Sequence, residues 1–194
     1  MAASLLNRFP TMLAISRLER GFSLVELLMV IAVAGTMMAI AVPVMTDMTE
    51  SSKLNTATRE LEREYQSARM KAVSANRVLR MRLNCPSTGY FRIVAVGTAS
   101  DNSSVRCLLT NYPYPPLPSP LNPASSDGPL KLLAHEATVT GNTLEFRPDG
   151  TVYKVDGTGS VQMIATSTPE RVTVTRKGKS RVMEINGAGR IQLQ

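Results

Sequence analysis

Histidine is almost missing from this chain, cysteine is scarce, and between Arg20 and Asp47 only one residue, Glu26, carries a charge. With His135 alone, two cysteines and no carboxylate cluster at ligand spacing, there is no donor set for a metal. No Gly-x-Ser-x-Gly elbow and no phosphate-binding loop occur, and Gly157-Thr158-Gly159 reads as a bare turn. His135 reads as an ordinary strand or loop residue. These absences leave no catalytic constellation, so the expectation is a protein that is not an enzyme and takes no cofactor and no metal. What remains is a hydrophobic content of 43% and a net charge of +7, compatible with a structural or binding role.

The chain is organised around Arg20-Gly21-Phe22-Ser23-Leu24-Val25-Glu26-Leu27-Leu28 and the apolar run that follows. From Phe22 to Val42 the run is long enough to cross a bilayer, whose hydrocarbon core of about 30 Å calls for roughly 20 helical residues. Glu26 breaks the pattern near the start of that helix, where burying a carboxylate in hydrocarbon costs on the order of 3 kcal/mol. An anchor alone gives no reason for it, so the carboxylate calls for a partner. The alternative is a carboxylate favoured by the helix dipole and snorkelling to the headgroups, which accounts for the charge but not for the adjoining Gly-Phe.

Gly21-Phe22-Ser23-Leu24-Val25-Glu26-Leu27 resembles the processing site of type IV prepilins and type II secretion pseudopilins. That resemblance implies a leader, 1–21, cut by a prepilin peptidase between Gly21 and Phe22, with methylation of the new Phe22 amine. It also implies that Glu26 pairs with the Phe22 amine of a neighbouring subunit as a filament assembles. Charge supports the pairing independently, because an ammonium and a carboxylate in low dielectric attract strongly and each is costly alone. Met12 offers a second start, giving a leader of ten residues to Gly21. Arg17 and Arg20 favour a cytoplasmic N-terminus, which puts everything after Val42 on the far side of the inner membrane. Without Arg8, Arg17, Arg20 and Glu19 the chain keeps 19 basic and 14 acidic residues, or +5.

Beyond the span the period stays helical. Leu54, Ala57, Leu61, Tyr65, Ala68 and Ala72 recur at three- and four-residue intervals, predicting one apolar stripe packed on a sheet. With Ser23 as N-cap and Asn76 near the end, residues 22–76 read as one helix, 22–43 membrane-spanning or filament core and 44–76 amphipathic. Gly35 weakens it and Pro43 removes a donor, which predicts a kink. From Val78 the period changes to two. Strands are predicted at Val78 to Leu83, Tyr90 to Val96, Val105 to Leu109, Leu130 to Thr140, Thr143 to Arg147, Thr151 to Val155, Val161 to Thr166, Arg171 to Arg176, Arg181 to Ile185 and Ile191 to Leu193. Seven of the twelve prolines fall between Pro113 and Pro129, so 111–129 reads as an extended surface loop, a stiff spacer rather than a Pro-x-x-Pro ligand. The order of elements argues α+β: a long N-terminal helix packed on C-terminal antiparallel sheets, with 77–194 the β-rich domain.

The C-terminal half is similar to the GspH/FimT family of minor pseudopilins and minor pilins. The resemblance is carried by Leu144-Glu145-Phe146-Arg147-Pro148-Asp149-Gly150-Thr151-Val152, by the closing Arg181 to Ile191, and by Ala75-Asn76-Arg77-Val78-Leu79-Arg80-Met81. It implies a structural subunit that inserts in the inner membrane and takes part in initiating or capping a type II secretion pseudopilus or a type IV pilus. Its partners are then other pilin or pseudopilin subunits, prepilin peptidase, the inner-membrane assembly platform and membrane lipid, with the C-terminal domain periplasmic. There Cys85 and Cys107, an even count in an oxidising compartment, favour a bridge; two buried thiols is the alternative, since spacing alone does not fix geometry. Two other functions stay open. One is a DNA-binding minor pilin for transformation, using Arg176, Lys177, Lys179, Arg181 and Arg190, with Arg80 and Arg82 on one strand face. A Gly-Arg-x-Arg tail binds DNA in some relatives, and this chain has Gln192 at the second Arg. The other is a membrane-anchored periplasmic domain that does not polymerise.

Overall fold

A computed structural model describes residues 21–97, 104–115, 127–165 and 167–194. The leader as far as Arg20, both candidate starts, and residues 116–126 of the Pro-rich loop lie outside the described residues. Two compact units divide after Val44.

Helix α1 spans Leu24–Ser74 and runs through that division, with Pro43 inside it. It starts where expected: the Ser23 carbonyl accepts the first intrahelical bond, from the Leu27 N–H at 3.1 Å. It ends because Asn76 adopts a left-handed conformation (φ 47°), which turns the Asn76 and Arg77 amides back onto the Val73 and Ala72 carbonyls.

In the second unit, ten strands follow: β1 (Leu79–Leu83), β2 (Tyr90–Ala95), β3 (Leu130–Leu132), β4 (Thr138–Thr140), β5 (Thr143–Phe146), β6 (Val152–Val155), β7 (Val161–Met163), β8 (Glu170–Arg176), β9 (Lys179–Ile185) and β10 (Ile191–Leu193). They form two antiparallel sheets, ordered β3-β2-β1-β5-β6-β7 and β10-β9-β8-β4. Both sheets and the helical stripe share one core. Leu54, Ala57, Leu61, Tyr65, Ala68 and Ala72 are buried, as their spacing predicts, together with Thr58. Tyr65 packs against Phe146 in a tilted arrangement with ring centroids 6.1 Å apart, and burial, with Glu170 adding, drives its phenol far above the ordinary tyrosine range.

Two expected strands take a different form. Val105 to Leu109 is replaced by a short 3-10 helix, Ser104–Cys107, and a turn. The alternating pattern misleads because Arg106 is fully buried and its own carbonyl is taken by the Arg92 side chain at 3.0 Å, so the segment joins no ladder. Leu130 to Thr140 is not one strand either. Between β3 and β4 the chain passes from one sheet to the other through a 3-10 turn, Ala134–Glu136, with His135 and Glu136 both at positive φ.

The segment after β2 is fastened by buried charge. Arg106 donates to both oxygens of Asp127, at 2.9 and 3.0 Å, and to the Ala95 carbonyl at 2.9 Å. Asp127 also accepts the Ala95 N–H at 2.8 Å. Arg92 donates to the carbonyls of Gly128, Arg106 and Tyr112, at 2.9, 3.0 and 2.8 Å. Cys85 and Cys107 are joined by a disulfide with Cα atoms 5.5 Å apart, so the bridged alternative is the one the fold contains. On β1 and β5, Arg80 faces Glu145 in register and donates to it at 2.8 Å, both side chains nearly fully buried.

The two glycine turns of the C-terminal half meet one side chain of α1. Arg69 Nε donates to the Gly150 carbonyl at 2.9 Å, and a Cβ placed on Gly189 would sit 2.5 Å from that same Nε. Both glycines are at positive φ, +81° and +75°. Thus the turns are spaced to hold a guanidinium, which a turn-forming role alone does not require.

Two outcomes follow. Asp127→Ala strands the Arg106 charge in the interior and is expected to cost about 3–5 kcal/mol in a denaturant titration of the full chain; a loss below about 1 kcal/mol contradicts the clamp. Gly189→Ala should cost about 1–3 kcal/mol from left-handed strain and the Arg69 clash. Combining it with Arg69→Ala should give less than the sum of the two single losses, and strict additivity would mean that the two do not meet.

Candidate assembly site and the basic hairpin

In the first unit, Gly21, Phe22 and Ser23 precede α1 and Phe22 is 79% exposed. Glu26 lies in the first turn, where the unsatisfied amides of the helix start favour a negative charge. It is exposed, and among the described residues no side chain pairs with it. The rest of this stretch exposes its apolar side chains, from Leu24 at 73% to Val44 at 54%. Its most apolar window has a mean hydropathy of 2.4 and buries nothing within the chain, long and apolar enough to cross a membrane. Among the described residues nothing covers that surface, and an apolar area of this extent marks a site of contact with lipid or with other chains. A Cβ added to Gly35 would meet nothing within 4 Å, so this glycine serves no packing need inside its own chain. Pro43 stands within the helix, where it withholds one backbone donor.

The basic residues of the C-terminal half do not all gather at one surface: three meet at the β8–β9 tip and Arg190 lies elsewhere. The β8–β9 register closes at Arg176 and Lys179, leaving Lys177 and Gly178 as the turn. Arg176 pairs with Glu50 of α1 and donates from Nε to the His135 carbonyl at 2.6 Å. Lys177 reaches Glu50 at 3.4 Å, and Lys179 pairs with Asp47 and donates to its carbonyl at 3.1 Å. Arg181 and Arg190 are exposed, Arg190 in the turn beside Gly189, at the other end of the domain's helix contacts. Arg80 and Arg82 share a strand face as expected, but Arg80 is buried on Glu145 and Arg82 is half-buried. Burial lowers the Arg82 pKa, and the neighbouring Arg80 and Arg106 lower it further.

What sequence reasoning missed is the acceptor side. Asp47 and Glu50 carry the hairpin, and Arg92, Arg106 and Asp127 hold the loop. Arg92 gave one signal: a cation in the middle of the apolar strand Tyr90-Phe91-Arg92-Ile93-Val94-Ala95 has to be met from inside. Burial keeps its pKa below the ordinary value, Asp127 opposing and Arg106 adding to the shift.

Comparison with known proteins bears on these features. The family described as prokaryotic N-terminal methylation motif matches residues 16–42, and the one described as type II transport protein GspH matches residues 57–189. No curated protein matches the chain. Among solved structures it is similar to the type IV minor pilin FimU of Pseudomonas aeruginosa strain PAO1 in two crystal forms. One has 22% identity and a TM-score of 0.46, with 76% of this chain and 92% of that one covered. The other has 21% identity and a TM-score of 0.42, with 72% and 91% covered. The GspH match takes in the helical stripe from Ala57, strands β1 to β9 and the two turns around Arg69, and the methylation motif takes in Glu26 and most of the exposed apolar helix: the chain belongs to the GspH family of minor pilins and pseudopilins.

Proposed function

We propose that this chain is a minor pilin or pseudopilin that anchors in the inner membrane by the first part of α1, is cut by prepilin peptidase between Gly21 and Phe22, and is methylated on the Phe22 amine. It then takes part in initiating or capping a type II secretion pseudopilus or a type IV pilus, working with the assembly platform and with its sheet domain on the periplasmic side. The observation that carries this reading is Glu26, the one charge in residues 21–46, exposed on an apolar helix and unpaired among the described residues. A helix that served only as an anchor is made worse by it, because the carboxylate costs on the order of 3 kcal/mol in hydrocarbon. A helix that must receive the Phe22 ammonium of an adjacent subunit is made specific by it, since the pair neutralises both charges at one register. Gly35 and Pro43 fit the same use, loosening the helical core of a filament between the membrane end and the domain.

DNA binding is the weaker reading. Arg176, Lys177 and Lys179 form one group that shares Glu50 and Asp47, and Arg190 stands apart from it, so the basic residues make no continuous strip for successive phosphates.

N-terminal sequencing of mature protein should begin at Phe22, and precursor should accumulate when prepilin peptidase is deleted; a different N-terminus overturns the assignment. Glu26→Ala should leave insertion and processing unchanged while cutting incorporation into sheared filaments more than about tenfold, the loss expected on breaking a desolvated pair. Undiminished incorporation of Glu26→Ala beside wild type rules out the pairing role.

A further inference from the structure

The β8–β9 tip is built in an unusual way. Lys177 and Gly178 both have positive φ, 44° and 77°, the geometry of a two-residue type I′ hairpin turn. Asn or Gly is favoured at the first of these positions; an ordinary side chain is strained there, so a lysine at the apex points to a use for the charge. Its side chain is 65% exposed. Beneath it, the side chains of Lys53, Arg176, Lys177 and Lys179 share two carboxylates, Glu50 and Asp47. The tip therefore keeps an excess of positive charge.

Its location on α1 narrows the partner. Asp47 and Glu50 are the first two charged residues after the apolar run, and Met45 and Met48 beside them are 69% and 68% exposed. From Met45 to Glu50 is about 7.5 Å of helix, within a Debye length of about 8 Å. DNA would need a continuous strip of free cations to meet successive phosphates. Here Arg190 lies next to the Arg69 contact, about 28 Å along the helix from Glu50, so the basic residues form no such strip. A few excess charges held close to the end of an apolar span fit a negatively charged lipid surface instead.

We propose that the β8–β9 tip, with Lys177 at its apex, is a contact surface for anionic lipid headgroups that fixes how the sheet domain stands on the membrane before assembly. The inference rests on the anchoring reading above, and the test separates the two. The native cysteines are in a disulfide, so a fluorophore can be attached at Ser180→Cys, an exposed position next to the tip, or at Ala188→Cys in the turn beside Arg69. Full chain is reconstituted in phosphatidylcholine vesicles with or without phosphatidylglycerol, both containing a headgroup nitroxide lipid. Quenching at Ser180→Cys should rise at least about twofold with the anionic lipid, an effect of the size expected for one or two cations at such a surface. Lys177→Gln should return it to the phosphatidylcholine level with an unchanged thermal transition, and Ala188→Cys should not respond. Vesicle flotation is read separately. Chain that does not float refutes anchoring; chain that floats without lipid-dependent quenching at Ser180→Cys refutes the headgroup contact alone. Retardation of duplex DNA that Lys177→Gln abolishes, with no response to phosphatidylglycerol, overturns the proposal in favour of nucleic acid.

Discussion

The first part of α1, whose apolar side chains no described residue covers, sets the terms for this molecule. From Leu24 to Val44 the hydrophobic groups are exposed, and none of the described residues covers them. Such a surface is stable only in contact with lipid or with other apolar surfaces, so the solution behaviour of the protein is decided by its surroundings. The single carboxylate on that surface, Glu26, is the feature on which the proposed assembly role rests.

The second unit solves the opposite problem. Its part of α1 is apolar on one stripe only, and that stripe is closed over by two antiparallel sheets around Tyr65 and Phe146. Charge then does the locating. Arg69 is held between two glycine turns near one end of the helix contacts, and Asp47 and Glu50 hold the β8–β9 tip at the other. The sheet layer is thereby pinned to the rod at two separated points along its length by side chains whose partners come from distant parts of the sequence.

Periodicity made the helix, its buried stripe and most strand positions legible, because those depend on which side of an element faces apolar neighbours. It failed at Val105 to Leu109, where alternation was produced by a buried arginine and a bridged cysteine rather than by a ladder. It also failed at His135 and Glu136, where the chain leaves one sheet for the other through left-handed residues that no local propensity announces. The basic residues were visible but their partners were not. A run such as Arg176-Lys177-Gly178-Lys179 looks free in sequence, and only the fold brings Glu50 to it from more than a hundred positions away. The segment around Gly21, Phe22 and Glu26 was legible as a motif because its pattern is carried by neighbouring residues, and residues 16–42 match the methylation-motif family.

One guanidinium grips both flanks of the proline-rich stretch. Arg92 binds the carbonyl of Tyr112 on the way out and that of Gly128 on the way back, while Arg106 and Asp127 tie the same two flanks together. Between ends fixed in this way, closure entropy changes by only about 0.6 kcal/mol for each doubling of the length that joins them. A change of length between Tyr112 and Asp127 therefore costs little in closure while the two guanidiniums keep both anchor points in place.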